Sequence, residues 1–413
     1  MSSLFLIVRR SLRQHALSTF VTIIAAAMAS GLVMSVFTVS EQSRTAFTGG
    51  DIGYDGVLGA KGSPLQLVLN TVYHLEQSPG NIPYSMYKDV KAMGPVKYAI
   101  PYALGDNLYG FRIVGTTGEL FTEFEYQKGK KYTFEDGGPF SEMHRGAVLG
   151  ATVAEELGLK VDDDFRPFHG LNYLPGEDPH EERYVVTGVM NATNTPADRV
   201  VWIPIEGIYR MGGHELRDGT KSEDIGGNAI PDEQKEVSAV MVKFHKAGQG
   251  MFVAPAINSG GEATFAYPIA QVMLGFLSKL GWITDILRYI AYMVVVVAGF
   301  GLLASIYNTM NERRREFAVL RALGAKRTTV FSAIVLESST IALLGSLLGY
   351  ALYFGVMTVS AAVIKAQTGV VLDTMAYHPA LIWTPLGMVV VGAIAGVFPA
   401  MKAYSTDVAR TLA

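Results

Sequence analysis

The chain of 413 residues contains no cysteine, which excludes disulfide bonds, thiol catalysis and metal sites built on thiolates. Charged residues are also scarce: they make up 17% of the sequence, against about a quarter in an ordinary soluble protein. The formal net charge of −3 shows no overall basic character, and no nucleic-acid partner is expected. Hydrophobic residues reach 49%, and the mean hydropathy is +0.26. This composition favours a protein that lies partly in lipid.

The motifs of nucleotide chemistry are missing as well. The nearest approaches to the phosphate-binding pattern G-x-x-x-x-G-K-[ST] are GAKGSP at 59–64 and GAKRTT at 324–329, and both are too short. The sequence shows no pairing of a nucleophile with a general base and no Gly-rich dinucleotide loop. We therefore expect no catalytic residue and no bound cofactor in this chain, which is predicted not to be an enzyme.

Four long apolar runs stand out in the sequence. Each has about 20 residues or more, the length that a helix needs to cross a bilayer. They occupy residues 18–39, 289–308, 330–358 and 380–400. The first resembles a signal peptide in position, but its apolar core of about 22 residues exceeds the roughly 7–15 of such signals, so we interpret it as a retained anchor. The predicted fold class is a membrane protein with four transmembrane α-helices, one N-terminal and three C-terminal.

Small residues four positions apart recur in all four runs, and such pairs let helix backbones approach closely in lipid. Glycine and alanine are also common in membrane helices in general, so each pair is a candidate contact that needs independent support. The pairs are Ala27 with Gly31, Gly301 with Ser305, Gly345 with Gly349, and Gly392 with Gly396.

The distribution of lysine and arginine predicts one orientation. Arg9, Arg10 and Arg13 precede the first run, in a mixed apolar and basic segment typical of a short helix at the inner membrane surface. Four crossings return the C-terminus, with Lys402 and Arg410, to the same side. The segment between the second and third runs holds six basic residues, whereas the one between the third and fourth holds a single lysine. Both termini are therefore expected in the cytoplasm.

Residues 41–269 have a different character. They contain about 31 acidic and 20 basic residues, with frequent Gly, Pro, Tyr and Asp, and are numerous enough for a core of their own. Strand patterns mix with helical patterns, which predicts a large α+β extracytoplasmic domain between the first and second membrane helices. The strand patterns lie at 53–60, 109–117, 183–190, 199–205 and 238–244, and the helical patterns at 84–93 and 151–158. Residues 1–40 and 270–413 form the flanking membrane regions in this division.

The segment 270–288 spaces its apolar residues at the helical period but still carries Lys279, Asp285 and Arg288. We interpret it as an extracytoplasmic helix that runs into the second membrane helix without a break. Such a rigid stalk rises about 1.5 Å per residue and would carry a displacement between the membrane and the outer domain.

The segment NERRREFAVLRALGAKRTTVF at 311–331 places many cations between two apolar runs. Its residues Phe317, Leu320 and Leu323 fall three apart, which predicts a short amphipathic helix with an apolar stripe exposed at the cytoplasmic surface. The arginines crowd the first turn of this helix, where the helix dipole disfavours cations. A simpler interpretation is a basic anchor that binds anionic membrane lipid.

The turn after this short helix has a recognisable chemistry. Gly324 fits the position just after the helix end, where a left-handed backbone is needed. Thr328 or Thr329 can then cap the next helix with its hydroxyl.

Several stretches resemble one known family. The stretch ERRREFAVLRALGAKRTTVFSAIVLESSTIALLGSLLG (312–349) resembles the core signature of FtsX-like ABC transporter permeases of the MacB, or type VII, group. The stretch at 11–36 is similar to the family's first helix, and the stretch at 397–413, with Pro399, is similar to the end of its fourth. In the outer domain, GAVLGATVAEELGL and YVVTGVMNATNTPADRVVWIPIEGI are similar to the MacB-like periplasmic core.

The resemblance implies a role for the basic segment as a coupling helix that rests on a separate ABC-type ATPase subunit, which would bind ATP and Mg²⁺. It implies a dimer with a second copy or a close relative, and movement of a periplasmic domain by mechanotransmission. An adaptor, a lipoprotein or an envelope enzyme is a further partner that the family implies. The coupling residues are Arg313, Arg314, Arg315, Glu316, Phe317, Leu320, Arg321, Leu323 and Gly324.

Three classes of function are open at this stage. The first is a permease that exports a substrate, or extrudes a lipoprotein or hydrophobic substrate from the outer leaflet or periplasm. The second is an FtsX-like regulator that activates an envelope hydrolase and moves no substrate. The third is a membrane anchor for a sensor domain. The sequence names neither the substrate nor the choice between homodimer and heterodimer.

Glu337 lies about eight residues into the third apolar run, where an ionisable group is costly and is a candidate for function. We favour a structural or coupling role over a proton relay. The alternatives are a position near the membrane surface, or satisfaction by other helices or by the neighbouring hydroxyls of Ser338, Ser339 and Thr340.

The segment VDDDFRPFHGLNYLPGEDPHEER at 161–183 gathers acidic and histidine side chains, and metal binding is one interpretation. Its spacing matches neither a calcium loop nor an H-E-x-x-H motif, so we interpret it as a solvated loop and expect no metal ligands. The residues concerned are Asp162, Asp163, Asp164, His169, Glu177, Asp178, His180, Glu181 and Glu182.

One apolar segment falls inside the outer domain, at residues 60–74. We predict a buried core helix there, and the alternative is a face that meets a lipidic substrate or a partner.

Overall fold

The computed structural model of the chain describes residues 2–48, 52–142, 145–227 and 229–404. Arg410, predicted to lie on the cytoplasmic side, is outside these ranges. The chain divides into two compact units. The helical unit comprises Met1–Ser43, Leu280–Ala362 and Asp373–Ala413, and the α+β unit comprises Arg44–Lys279 and Val363–Leu372.

Long helices lie toward both ends of the chain, and the strands lie between them. In chain order, the helices are α1 (Ser2–Gln14), α2 (Ala16–Thr48), α3 (Pro64–Thr71), α4 (Tyr84–Lys91), α5 (Glu119–Thr122), α6 (Ala151–Leu157), α7 (Ile205–Tyr209), α8 (Ser222–Ile225), α9 (Gly250–Gly260), α10 (Ile269–Lys279), α11 (Gly281–Glu312), α12 (Arg314–Ala322), α13 (Arg327–Thr368) and α14 (Ala380–Tyr404). The strands are β1 (Gly56–Ala60), β2 (Ile82–Pro83), β3 (Val96–Leu108), β4 (Phe111–Thr116), β5 (Phe134–Gly137), β6 (Gly146–Leu149), β7 (Asp164–Phe165), β8 (Phe168–His169), β9 (Tyr184–Met190), β10 (Val200–Pro204), β11 (Glu236–Val237), β12 (Ala239–Phe244) and β13 (Ala263–Ala266).

Within the described ranges, four helices are long and apolar enough to cross a membrane: α2, α11, α13 and α14. They have 33, 32, 42 and 25 residues, against the roughly 20 that a bilayer requires. Each contains one of the four predicted apolar runs and extends beyond it. The predicted fold class, four apolar helices flanking a large α+β domain, is confirmed.

The α+β unit is built on a mixed sheet. The strand order is β13-β1-β12-β3-β4-β10-β6-β9-β5, with β8 paired to β3 and β7 paired to β9. The pairs β4–β10 and β6–β9 are parallel, and the other pairs along this order are antiparallel. Strand β3 is central, and its pairing with β4 shifts register between Leu104 and Asp106. That shift interrupts the regular ladder beside Asp106.

The sheet is buried on both faces, and alternate residues of its central strands face opposite sides. In β10, Val201 and Ile203 join one apolar cluster, while Val200 and Trp202 join the other. This follows from the period of two in a strand, and it explains why β10 has a continuous apolar sequence. Trp202 is 1% exposed and among the largest fully buried side chains of the unit.

The apolar segment 60–74 forms the core helix that its sequence predicts. Ser63 accepts a hydrogen bond from the Gln66 backbone amide at the start of α3, and Pro64 occupies its first turn. Leu67 and Val68 have no exposed surface. The prediction of a buried core helix is therefore confirmed.

The predicted unbroken stalk is wrong in one respect. Helix α10 ends at Lys279 and α11 begins at Gly281, with Leu280 between them. Leu280 accepts a hydrogen bond from the Ile283 amide, the i to i+3 contact of a tighter turn. The helical path is therefore interrupted at Leu280.

Candidate functional site

The short helix α12 is present where the sequence predicts it, and its end has a defined geometry. The Gly324 amide donates to Arg321 O at 3.1 Å, and the Ala325 amide donates to Leu320 O at 3.0 Å. Gly324 has φ of +98°, so the two bonds form a Schellman motif that only a left-handed residue can complete. The predicted left-handed turn at Gly324 is confirmed. The cap predicted at Thr328 or Thr329 is wrong, because α13 already begins at Arg327.

The predicted apolar stripe of α12 is divided between the interior and the surface. Phe317 is 7% exposed and belongs to an apolar cluster with α11, α13 and α14, and Leu320 packs against that cluster. Leu323 is 81% exposed and Val319 is 44% exposed. The prediction that the whole stripe is exposed is therefore wrong for Phe317, whose ring holds α12 to the helical unit.

The arginines at the start of α12 also differ from one another. Arg314 and Arg315 are exposed, as is Glu316. Arg313 precedes the helix and is buried, with its side chain 8% exposed. Its guanidinium lies 4.9 Å from the Phe317 ring and donates from Nε to Glu316 Oε2 at 3.1 Å.

Buried Arg313 belongs to a polar network with two other helices. Its Nη1 donates to the Ser11 hydroxyl of α1, and that hydroxyl donates to Glu337 Oε1 of α13. Arg313 Nη1 also lies 3.5 Å from Glu337 Oε2, and the Glu337 side chain is 8% exposed. Because a buried charge needs a partner, the ion pair accounts for a glutamate inside an apolar helix. We call Arg313, Ser11 and Glu337 the cytoplasmic-side network, after the side on which the sequence predicts it.

The neighbouring hydroxyls of Glu337 have other partners. Ser338 donates to the backbone oxygens of Ile334 and Val335, and Thr340 donates to Leu336 O. These bonds lie within α13 itself. The polar partners of the Glu337 carboxylate are therefore Ser11 of α1 and Arg313, which lies between α11 and α12.

Small residues bring the apolar helices close together at two places. A Cβ added to Gly345 of α13 would lie 2.5 Å from Ala26 Cβ of α2, and one added to Gly349 would lie 2.1 Å from Ser30 Oγ of α2. A Cβ added to Gly392 of α14 would lie 2.6 Å from Ala342 Cβ of α13, and one added to Gly396 would lie 2.1 Å from Ser338 Oγ of α13. At Gly301, by contrast, an added Cβ would meet none of the described atoms within 4 Å.

A second polar cluster lies in the α+β unit, and we call its four residues the His–Asp cluster: Asp106, His169, His180 and His214. Oδ1 of Asp106 lies 3.6 Å from His169 Nδ1, 3.1 Å from His180 Nε2 and 3.2 Å from His214 Nε2. The three imidazole rings stand edge to face, with centroids 5.3–5.6 Å apart. Asp106 has no exposed surface. The donor set is one that could hold a metal ion.

Burial acts to raise the pKa of Asp106, but hydrogen bonds with the three histidines outweigh it and hold that pKa well below its usual range. The hydrogen bond to Asp106 raises the pKa of His169, and burial lowers it by less. The carboxylate is thus ionised in the folded protein, and it faces three imidazoles.

Sequence reasoning missed half of this cluster. His169 and His180 lie in the acidic and histidine-rich segment at 161–183, but Asp106 and His214 are distant in the chain. Asp106 stands in β3 directly opposite His169 of β8, and that register is the cross-strand contact that unites them. Other members of the predicted segment have separate partners: Asp164 pairs with Arg183 at 2.9 Å. No spacing rule links positions so far apart.

Comparison with known proteins supplies a family. A sequence model described as MacB-like periplasmic core domain matches residues 19–247, and one described as FtsX-like permease C-terminal matches residues 288–408. The first match alone covers more than half of the chain.

Individual relatives are distant. A macrolide export ATP-binding/permease protein MacB of Bdellovibrio bacteriovorus is 25% identical over 216 residues, which cover 51% of this chain and 30% of the relative. Another MacB, of Nitrobacter winogradskyi, is 24% identical over 302 residues, covering 70% and 42%. The uncharacterized ABC transporter permease YknZ of Bacillus subtilis is 24% identical over 233 residues, covering 52% and 56%. The chain thus spans between 30% and 56% of the length of these relatives.

Proposed function

This chain belongs to the MacB-type family of ABC transporter permeases, and on that premise we propose that it couples ATP hydrolysis by a separate ABC-type ATPase to movement of its own α+β unit. The sequence carries no phosphate-binding loop, so the partner would bind ATP and Mg²⁺. The part of the chain that the structure describes has four helices that could cross a membrane, and two copies, or one copy and a close relative, would form the working assembly.

The exposed face of α12 is the surface that we propose docks on the ATPase. Leu323 and Val319 leave apolar side chains in solvent there, beside the cations Arg314 and Arg315. A rigid docking element transmits force better than a loose one. The Schellman motif at Gly324 and the buried ring of Phe317 supply that rigidity.

The cytoplasmic-side network would pass a displacement of α12 to its neighbours. Arg313 joins the end of α11 to the start of α12, while Ser11 and Glu337 lie on α1 and α13. A shift of α12 therefore has to move those helices or break a buried ion pair, which is costly. This contact is the observation that carries the proposed mechanism.

The function on the outer side of the membrane is proposed from the names of the relatives. Two of them carry macrolide export in their names, and we propose that this chain likewise serves export, or extrusion of a hydrophobic or lipid-anchored substrate from the outer leaflet or periplasm. The proposed location is the bacterial inner membrane, with both termini in the cytoplasm and the α+β unit in the periplasm.

Docking is tested at Leu323. Pulldown of the full chain from native membranes in mild detergent identifies the ATPase, whose stimulation is then measured with purified variants. We expect Leu323→Asp to weaken binding and stimulation by about tenfold or more, because it puts a charge into an apolar contact of about 1.4 kcal/mol or greater. Leu323→Met, which stays apolar, should behave as the parent. Equal stimulation by the Asp and Met variants would remove α12 from the interface.

Phe317→Asp gives a different expected result, because it buries an unpaired charge. We expect little folded protein from that variant, measured as the monodisperse fraction in size-exclusion chromatography, and no selective loss of docking.

The orientation of the chain in the membrane is tested by labelling single introduced cysteines. The labelling is unambiguous because the native sequence contains no cysteine. Lys326→Cys and Lys128→Cys place thiols at exposed positions of the α12–α13 turn and the α+β unit. In intact cells of a strain with a permeabilised outer membrane, we expect an impermeant maleimide to label Lys128→Cys and to reach Lys326→Cys after lysis. Labelling of both before lysis contradicts the proposed topology.

A further inference from the structure

The His–Asp cluster has the dimensions of a metal site. In a tetrahedral zinc site with bonds of about 2.0–2.1 Å, neighbouring ligand atoms are about 3.3–3.4 Å apart. The distances from Asp106 Oδ1 to the three histidine nitrogens are 3.1, 3.2 and 3.6 Å, and all four ligand atoms lie within 4.8 Å of one another. We propose that Asp106, His169, His180 and His214 form a four-coordinate site for Zn²⁺ in the α+β unit.

Hydrogen bonding alone explains the arrangement poorly. All three histidine nitrogens converge on one carboxylate oxygen, Asp106 Oδ1, although such an oxygen has two lone pairs. The other oxygen, Oδ2, is buried, and no described residue donates a hydrogen bond to it. A buried carboxylate usually shares donors between its two oxygens. A metal cation, by contrast, requires several ligand atoms grouped around one point, and these four atoms are grouped in that way.

The donor set selects the class of ion. Three imidazoles and one carboxylate suit zinc and neighbouring late transition metals, whereas Ca²⁺ and Mg²⁺ prefer six or more oxygen ligands. The four ligands all come from the protein, as in structural zinc sites, where no position is left for substrate. The site is therefore expected to stabilise the unit and to perform no reaction.

The location of the ligands shows what the ion would hold together. Asp106 lies in central strand β3 beside its register shift, and His169 is its cross-strand partner in β8. His180 lies in the loop between β8 and β9, and His214 follows α7. An ion at this point would tie three peripheral segments to the middle of the sheet. The His169 side chain is 67% exposed, so the ion can enter the folded protein, while His180 and His214 are 8% and 15% exposed.

The test uses the full chain, purified in detergent and treated with a chelator. Zinc is titrated in competition with a chromophoric chelator. We expect one equivalent bound per chain, with a dissociation constant below micromolar, and no competition from a thousandfold excess of Mg²⁺ or Ca²⁺. His214→Ala and His169→Ala should each weaken binding by at least about 100-fold, because losing a ligand costs more than the 10–100-fold of a supporting residue. His245→Ala removes an exposed histidine of the same unit and should change nothing.

Three further readouts separate a site from a folding defect. His169→Ala removes the most exposed ligand, so its circular dichroism without metal should match the parent. Zinc should raise the melting temperature of the parent and of His245→Ala but not that of His169→Ala. X-ray absorption should show nitrogen and oxygen near 2.0 Å and no sulfur. Equal zinc affinity in the parent, His169→Ala and His214→Ala would overturn the proposal, as would substoichiometric binding by the parent.

Discussion

Glu337→Ala is expected to destabilise the helical unit by about 3–5 kcal/mol, because it removes the buried counter-charge of Arg313 and leaves that residue only its ion pair with the exposed Glu316. The Ser11 hydroxyl would also lose the carboxylate that accepts its hydrogen bond. The measurement is thermal unfolding of the full chain in detergent, with the monodisperse fraction as a second readout. Glu337→Gln keeps the volume and an acceptor for Ser11, so its loss should be smaller, and the difference isolates the charge.

The matched control is Glu312→Ala. That carboxylate lies one residue from Arg313 but is 66% exposed, so its pair with His15 should contribute no more than about 1 kcal/mol. If Glu312→Ala and Glu337→Ala lowered the melting temperature equally, the ion pair with Arg313 would not be the source of the effect.

A double variant separates structure from coupling. Arg313→Met with Glu337→Leu removes both buried charges, and such replacements often restore or increase stability. If the network transmits the motion of α12, this variant should be stable but should respond to the bound ATPase at least about tenfold less, measured as ATP-driven movement of a spectroscopic label on the α+β unit. Recovery of both stability and response would assign the network a structural role only.

Gly349→Val is expected to disrupt the packing of α13 on α2. An added Cβ would lie 2.1 Å from Ser30 Oγ, and 3.0 and 3.1 Å from the backbone atoms Ala27 O and Gly31 N. The hydroxyl can rotate, but the backbone of a membrane helix cannot move without separating the two helices. Overpacking of this kind costs about 1–3 kcal/mol, and two branched methyl groups add to it. The result should be a lower melting temperature and less folded protein.

The control for this effect is on the same helix. Gly355→Val introduces the same side chain at a position where an added Cβ would meet none of the described atoms within 4 Å. Both substitutions raise apolar bulk and replace a helix-disfavouring glycine equally. A fall in stability for Gly355→Val as large as that for Gly349→Val would show that the effect is not a contact with α2.

Much of the architecture was available from local sequence patterns. Each of the four membrane-spanning predictions rested on some twenty consecutive apolar residues, a signal that no soluble segment imitates. Strands β1, β4, β9, β10 and β12 were predicted from their strand patterns, and the core helix at 60–74 was predicted from its apolar composition. Strands β3, β5, β6 and β13 were among those missed. In β3, Pro101 and Gly105 interrupt the pattern, and the register shift breaks the alternation.

Predictions about individual side chains were less successful. The stripe of α12 was correct in spacing, yet Phe317 is buried while Leu323 is exposed, because the helix turns one edge of its stripe to the apolar cluster. Arg313 looked like its neighbours in sequence. Its burial depends on Ser11 and Glu337, which are 302 and 24 residues away.

The sequence by itself determined the membrane-spanning helices, the α+β character of residues 41–269, the turn at Gly324 and the family, since each depends on residues adjacent in the chain. The tertiary structure alone decided which charges are buried and which histidines meet. Asp106 and His214 are 108 positions apart, and the segment after α7 brings the histidine to 3.2 Å from the carboxylate. Such a contact leaves no periodic pattern in the sequence. The entropy cost of closing a long loop depends mainly on the loop's length, so the sequence of the loop does not reveal which residues its ends will meet.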